Sequence, residues 1–112
     1  MSSEGCVFCR IVRGELPATV VNRRDGVIAI EDIAPKAPVH VLVVPERHVD
    51  TFRDVRALDA AEAKALLDFV AETAAKAGLD DYRVIVNVGP GAGQTVFHLH
   101  WHVLGGRELP FP

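Results

Sequence analysis

The sequence has little that would place the protein in a membrane, on nucleic acid or outside the cell. Its longest apolar runs, such as Val41-Leu42-Val43-Val44, are far shorter than a membrane span, and Met1-Ser2-Ser3-Glu4 lacks the charged and apolar regions of a signal peptide. A formal net charge of −3 argues against the positively charged groove with which proteins bind nucleic acid. Internal repeats and low-complexity segments are also absent. We therefore expect a cytoplasmic protein with no membrane and no nucleic-acid partner.

Cysteine is scarce, and the two that occur, Cys6 and Cys9, lie three residues apart. In a reducing compartment this spacing indicates metal or redox chemistry more than a structural disulfide. The thioredoxin-like redox interpretation needs a strand before the motif, and none precedes Cys6. A metal pair is the better interpretation, provided that two more ligands exist. The chain offers five histidines for this purpose: His40, His48, His98, His100 and His102.

With 112 residues, 49% of them hydrophobic, the chain has the length of one domain with one core, so we expect a single domain over residues 1–112. Turn residues and β-rich runs predict strands over 19–22, 27–30, 40–45 and 82–89, followed by a last strand within 97–106. A short helical turn is predicted over 10–14, and a helix from about Asp59 to Lys76. Asp25-Gly26 predicts one hairpin, and the glycine-rich connection over 90–95 predicts another. This order favours an α+β fold with an antiparallel sheet. The apolar face of the long helix is expected to contain Leu58, Ala61, Ala65, Leu66, Phe69, Val70 and Thr73.

Three histidines near the end of the chain alternate with apolar residues. Because side chains alternate across a strand, His98, His100 and His102 share one face while Leu99 and Trp101 face the other way. Histidine combines near-neutral titration, nucleophilicity and affinity for anions and metals, so this face predicts a functional site. The alternatives are an edge strand with a polar outer face, or a histidine-rich tract that acquires metal.

The run His98-Leu99-His100-Trp101-His102-Val103-Leu104 matches every position of the histidine triad (HIT) signature, His-φ-His-φ-His-φ-φ with φ apolar. The chain therefore resembles that family, and Val86-Asn87-Val88-Gly89, Gly93-Gln94-Thr95-Val96-Phe97 and Leu104-Gly105-Gly106-Arg107 resemble its Hint branch of small nucleoside phosphoramidases. The resemblance implies a five-stranded antiparallel sheet with one main helix and a short N-terminal helix. It also implies a homodimer in which the two sheets join into one larger sheet.

The resemblance assigns roles to individual residues. It makes His100 the nucleophile that attacks the α-phosphorus and becomes nucleotidylated, with His102 and His40 as phosphate-side partners and His98 as the remaining histidine of the catalytic set. It makes Asn87 and Thr95 donors to phosphate oxygens or to the leaving group, and Asp32 an acceptor from the ribose hydroxyls. The segment Gly93-Gln94 is also assigned to substrate binding, and the residues that enclose the purine are Val7, Phe8, Leu16, Ile30 and Ile33. Taken singly, Asn87, Thr95 and Asp32 also fit local roles as a strand polar residue, a turn residue and a loop cap.

Several bacterial members of the family bind a structural zinc, and the matching positions here are Cys6, Cys9, His48 and His98. A Cys₂His₂ set is closed and tetrahedral, so the resemblance implies a structural metal and not a catalytic one. The alternative is two buried thiols beside a surface histidine.

The function that this resemblance implies is hydrolysis of the P–N bond of purine nucleoside 5′-phosphoramidates. A neutral imidazole can attack phosphorus in line while a nearby acid protonates the departing nitrogen, and amides of the segment 91–93 can offset the phosphate charge. One rival is a dinucleoside polyphosphate hydrolase that uses the same nucleophile. The other is a nucleotide-binding interaction protein in which turnover is incidental.

Overall fold

A computed structural model of the chain describes residues 5–110. Its strands are β1 (Val20–Arg24), β2 (Val27–Glu31), β3 (Val39–Pro45), β4 (Tyr82–Ile85) and β5 (Trp101–Gly105). They form one antiparallel sheet in the order β1-β2-β3-β5-β4. The predicted hairpin at Asp25-Gly26 joins β1 to β2, with Gly26 at φ +86°, a conformation that glycine adopts without strain. The predicted α+β fold with a five-stranded antiparallel sheet is confirmed.

The helix α2 (Ala60–Lys76) covers one face of the sheet, as the sequence predicts. Asp59 caps its first turn by accepting a hydrogen bond from the Glu62 amide, and Gly78 follows its last turn at φ +78°. Leu66, Phe69, Val70 and Ala74 of α2 pack against sheet residues that include Ala29, Val43, Trp101 and Val103. Ala61 and Ala65, expected on the buried face, are exposed because they lie beside the row that faces the sheet. No helix within residues 5–110 is long and apolar enough to cross a membrane.

The other face of the sheet is covered near its centre by the short helix α1 (Val7–Val12). This helix begins earlier than the predicted turn over 10–14, because the Cys6 thiol accepts a hydrogen bond from the Cys9 amide and so caps it. Phe8, Cys6 and Cys9 are buried there. They pack against a small second core contributed by β2 and β3, made of Ile28, Ile30, Leu42 and Val44.

The connection between β4 and β5 is longer than predicted. The β4–β5 ladder ends where Ile85 pairs with His102. Residues 86–89 and 97–100, which were predicted to belong to these two strands, therefore lie outside the ladder, and a 3-10 turn over Pro90–Ala92 lies between them. Gly89 and Gly93, at φ +84° and +94°, turn the chain away from the sheet. His98 and His100 therefore precede β5, and only His102 lies in it. The alternation survives outside the ladder, since Leu99 packs in the core under α2 while His98 and His100 lie on the α1 side.

Candidate active site

A cavity of about 760 Å³ opens on the α1 side of the sheet, beside the last two triad histidines. Val7 and Phe8 of α1 form one wall, and Ile33, in the loop after β2, lies fully exposed at the cavity. His100 and His102 also line the cavity, and the Phe8 ring lies edge-on against the His100 ring, with centroids 5.0 Å apart. The remaining predicted residues that line the cavity are Ile30, Asp32, Asn87, Gly93 and Thr95. A cavity lined mainly by apolar side chains with a few polar groups is the usual form of a small-molecule site.

His100 presents a free ring nitrogen to this cavity. Its Nδ1 lies 2.7 Å from the carbonyl oxygen of His98, which can only accept a hydrogen bond. Nδ1 therefore carries the ring proton and donates a hydrogen bond to that carbonyl. The other nitrogen, Nε2, has no hydrogen-bond partner among the described residues. Because none of the fully buried polar atoms there lacks a partner, Nε2 must be accessible to solvent. Burial lowers the pKa of His100, which favours the neutral ring. A neutral imidazole with Nε2 unprotonated is the form that acts as a nucleophile.

His102 and His40 are joined by a direct hydrogen bond. Leu42 pairs with His102 and Leu104 with His40 across β3 and β5, so the two histidines are diagonal neighbours on one face of the sheet. The Lys36 amide donates to Nδ1 of His40 at 3.0 Å, which leaves the His40 proton on Nε2. That Nε2 lies 2.9 Å from Nδ1 of His102. His102 therefore accepts at Nδ1 and keeps its own proton on Nε2.

The protonation of this pair is governed by burial. Burial, reinforced by the neighbouring His100 and His40, lowers the pKa of His102 to about 4. Burial also lowers the pKa of His40, against the opposing effect of the Asp32 carboxylate 3.4 Å away. Both rings are consequently neutral near pH 7, and the hydrogen bond between them is not an ion pair.

Asp32 lines the cavity, and each of its two carboxylate oxygens lies close to a hydrogen-bond donor of the protein. Oδ1 accepts from the Ala34 amide at 2.7 Å, which is the loop-cap contact that the sequence left open. Oδ2 lies 3.4 Å from Nε2 of His40. The local role and a role at the cavity therefore coexist in this residue, since each carboxylate oxygen has more than one acceptor position.

Four residues predicted for the site do not line this cavity. His40 is one of them, and it contacts the cavity residues His102 and Asp32 from behind. Gln94 is buried and does not line the cavity, because its side chain accepts from the Gly89 amide and donates to the carbonyls of Asp50 and Val96, which holds the glycine-rich turn in place. Leu16 lines a separate surface pocket. His98 is fully buried with both ring nitrogens engaged, so only its main-chain carbonyl acts on the catalytic side.

Several cavity residues were not recognised in the sequence. They are Ile11, Pro17, Ala18, Thr19, Glu31, Leu42 and Val96. The apolar members, in a helix, a strand and short loops, have the pattern of ordinary core residues. Nothing local in the sequence marks them as lining a cavity.

Four potential metal ligands meet beneath α1. Cys6, Cys9, His48 and His98 place their ligand atoms within 4.8 Å of one another. Nδ1 of His98 lies 3.3 Å from the Cys6 sulfur and 3.5 Å from the Cys9 sulfur, and Nδ1 of His48 lies 3.2 Å from the Cys9 sulfur. A tetrahedral zinc with ordinary bond lengths would hold sulfur and nitrogen about 3.6 Å apart. The spacing of the donors therefore fits such an ion.

The protonation of these donors also fits a metal. Nε2 of His98 donates to the Pro45 carbonyl at 2.7 Å and Nε2 of His48 to the Asp50 carboxylate at 2.7 Å, so both rings offer an unprotonated Nδ1 to the thiols. Burial lowers the pKa of His98 to about 4, which keeps that ring neutral. Burial and the Cys6 thiol raise the pKa of Cys9 to about 11, so a bound cation is needed to hold it as a thiolate. The residues present therefore fit a closed Cys₂His₂ metal site.

Comparison with known proteins agrees with the triad signature. The family model of the HIT domain matches residues 13–109. An uncharacterised HIT-like protein of Synechococcus elongatus is 44% identical over 98% of this chain and 97% of its own length. The purine nucleoside phosphoramidase of Escherichia coli is 38% identical, over 96% of this chain and 92% of its own. The crystal structure of a HIT family hydrolase from Legionella pneumophila superposes with a TM-score of 0.90 at 41% identity, covering 96% of this chain and 98% of that one.

The agreement extends beyond the signature to the fold, since the TM-score of 0.90 applies to 96% of this chain. The family model covers most of the chain, and the relatives are aligned over nearly its whole length. The chain therefore belongs to the histidine triad (HIT) family.

Proposed function

We propose that this protein is a hydrolase that cleaves the P–N bond of purine nucleoside 5′-phosphoramidates, with His100 as the nucleophile. The observation that carries the proposal is the fixed tautomer of His100, whose Nδ1–H is held by the His98 carbonyl while Nε2 is left free beside the cavity. The relative in Escherichia coli that is named a purine nucleoside phosphoramidase supports the substrate class. The apolar wall formed by Val7, Phe8, Ile30 and Ile33 suits a purine base, and Asp32 suits the ribose hydroxyls.

In this mechanism, Nε2 of His100 attacks the α-phosphorus and the P–N bond breaks. The positive charge that develops on the ring is stabilised by the Nδ1–H bond to the His98 carbonyl. An anionic phosphate in the cavity favours a protonated His102, which passes a proton to the departing amine. Water then attacks the nucleotidyl group, His102 takes up a proton from that water, and cleavage of the bond between phosphorus and His100 releases the nucleoside monophosphate.

Asn87, Thr95 and the Gly93 amide lie along the cavity where the phosphate would bind. Their donors stabilise its oxygens as negative charge accumulates in the transition state. Thr95 keeps a hydroxyl at a position where serine is common in this branch, and its extra methyl restricts the χ1 angle. The chemistry therefore survives this difference, and the choice of leaving group is where we expect its effect.

We further propose that Cys6, Cys9, His48 and His98 hold a structural zinc ion. A closed set of four protein ligands leaves no open position, so the metal would tie α1 to the rest of the fold and supply no Lewis acid to the reaction. A reduced cysteine pair of this kind agrees with a cytoplasmic protein.

A homodimer is also part of this proposal. β4 is an edge strand, and its Tyr82 and Val84 are 40% and 43% exposed. On the outer side of α2, Leu67 is 58% exposed among small residues that include Ala71. An exposed sheet edge beside apolar side chains is a surface that pairing with a second copy would bury.

A panel of substrates tests the function. Purified protein should cleave adenosine and guanosine 5′-phosphoramidates with a higher kcat/KM than any dinucleoside polyphosphate. His100→Ala, prepared in the same way, serves as the control for contaminating hydrolases. Preference for a dinucleoside polyphosphate would assign the same nucleophile to the rival hydrolase. Binding of nucleotide without turnover of either class would favour the interaction protein.

A further inference from the structure

The metal cluster and the nucleotide cavity share one short element. Cys6 and Cys9 are separated by Val7 and Phe8, and these two residues form the α1 wall of the cavity. The Cys6 sulfur caps the helix, and both cysteine sulfurs contact the imidazole of His98. An ion that holds the two sulfurs therefore fixes the position of the wall.

A second connection runs through the triad segment. The Phe8 ring packs edge-on against His98, with centroids 5.8 Å apart, and against His100, with centroids 5.0 Å apart. The ring of His98 faces the cysteines, while its carbonyl accepts the Nδ1–H of His100. One residue thus offers a nitrogen to the metal and an oxygen to the nucleophile.

The main-chain ladder of the sheet does not supply this positioning. His98 and His100 precede β5 and are outside its ladder with β3. Apart from the Leu99 amide, which donates to the Val49 carbonyl at 2.7 Å, this segment is held by the contacts of its side chains. Its order therefore depends in part on the packing of Phe8 and on the position of the His98 ring, and a metal bound to Nδ1 of His98 and to the two cysteines that flank Val7 and Phe8 would fix both.

We propose that metal binding at Cys6, Cys9, His48 and His98 is energetically coupled to nucleotide binding in the cavity, with Phe8 and His98 as positioning residues between the two sites. The inference rests on the proposed function, because it takes the cavity as the nucleotide site. Each ligand orders α1 and the triad segment, so the second ligand finds part of that ordering already complete. Reciprocity then requires that nucleotide raise the affinity for metal by the same factor as metal raises the affinity for nucleotide.

The test measures zinc affinity on the zinc-loaded protein by equilibrium competition with a chromophoric chelator, with and without saturating adenosine 5′-monophosphate. A parallel titration with adenosine removes the contribution of phosphate that chelates zinc in solution. We expect the nucleotide to lower the zinc Kd about fivefold or more, the lower end of typical coupling between sites. Calorimetry on the same samples records whether the nucleotide binds.

A matched pair of variants locates the coupling. Phe8→Leu should still bind zinc, since all four ligands remain, but the effect of nucleotide on zinc affinity should fall to less than twofold. Phe52→Leu, at a half-exposed phenylalanine outside both sites, should retain the full effect.

The possible outcomes distinguish a failure of the coupling from a failure of the proposed function. Nucleotide binding with an unchanged zinc Kd would overturn the coupling alone, and so would equal coupling in Phe8→Leu and the parent protein. Protein that binds nucleotide but never zinc would overturn the coupling and leave the hydrolase proposal standing. Protein that takes up zinc but binds no nucleotide would overturn the proposed function together with the coupling.

Discussion

His40 is expected to act on the reaction only through His102. Its Nδ1 accepts from the Lys36 amide and its Nε2–H donates to Nδ1 of His102 at 2.9 Å, which fixes His102 with its own proton on Nε2. Substituting His40 by asparagine keeps an acceptor for the Lys36 amide and removes the donor to His102. His40→Gln instead places an amide donor near the position of Nε2.

The expected loss follows from the single hydrogen bond that is removed. A buried polar group left without its partner costs about 1–3 kcal/mol, so His40→Asn should lower kcat/KM about 5- to 150-fold. His40→Gln should recover part of that loss, because a donor again faces His102. His102→Ala alone should cost on the order of 3 kcal/mol, as for the loss of one transition-state donor.

A double-mutant cycle tests whether His40 acts through His102. The assay is steady-state hydrolysis of adenosine 5′-phosphoramidate by the parent, the two single variants and the double variant. If His40 acts through His102, adding His40→Asn to His102→Ala should change kcat/KM less than threefold. Circular dichroism and melting curves check that each variant is folded. Full additivity of the two losses would refute the reasoning and show that His40 acts by a route other than His102, such as its contact with the Asp32 carboxylate.

Four further outcomes are expected. His100→Ala should abolish turnover while still binding nucleoside monophosphate, and peptide mass spectrometry after rapid quench of the parent should find the nucleotide on His100 and on no other histidine. Metal analysis should find about one zinc per chain, and Cys9→Ser should lower the melting temperature more than it lowers kcat, because the metal ties α1 to the sheet; zinc-free protein prepared without chelators would exclude the metal site. Sedimentation should show a dimer at micromolar concentration, and Leu67→Glu should weaken it, whereas a monomeric parent would count against the proposed interface. Burial lowers the pKa of His100 and lowers that of His102 to about 4, so the neutral nucleophile persists below the ordinary histidine value of about 6.5, whereas the acid form of His102 becomes scarcer in the free enzyme as the pH rises; kcat/KM should therefore fall from pH 6.5 to pH 8, and a level profile over that range would contradict the role of His102 as the acid.

The elements that the sequence predicted well have local causes. Asp59 and Gly78 bound α2 because a side-chain cap and a left-handed glycine act within a few residues. Asp25-Gly26 produces the first hairpin for the same reason. The alternation of the triad persisted even where the chain left the ladder, because an extended backbone directs neighbouring side chains to opposite sides with or without a strand partner.

The places where prediction failed depend on contacts between residues far apart in the sequence. The turn through Gly89 and Gly93 is held by Gln94, whose side-chain amide donates to the Asp50 carbonyl and accepts from the Gly89 amide. A residue expected to bind substrate therefore supports the loop instead. The strands over 82–89 and 97–106 were predicted too long because strand propensity does not show where a ladder loses its partner. Leu16 lies away from the cavity for a similar reason, since the path of the chain after α1 decides which apolar side chains reach the cavity.

By itself, the sequence determined the α+β class, the helix α2 and a row of three imidazoles, because each arises from the order of neighbouring residues. Only the tertiary structure decided that these imidazoles differ. His98 turns its ring to two cysteines near the start of the chain, the His98 carbonyl leaves Nε2 of His100 free, and the register of β3 against β5 brings His40 to His102. The physical reason is that a histidine's tautomer and pKa are set by its hydrogen-bond partners and its burial, and here both come mainly from packing between distant segments.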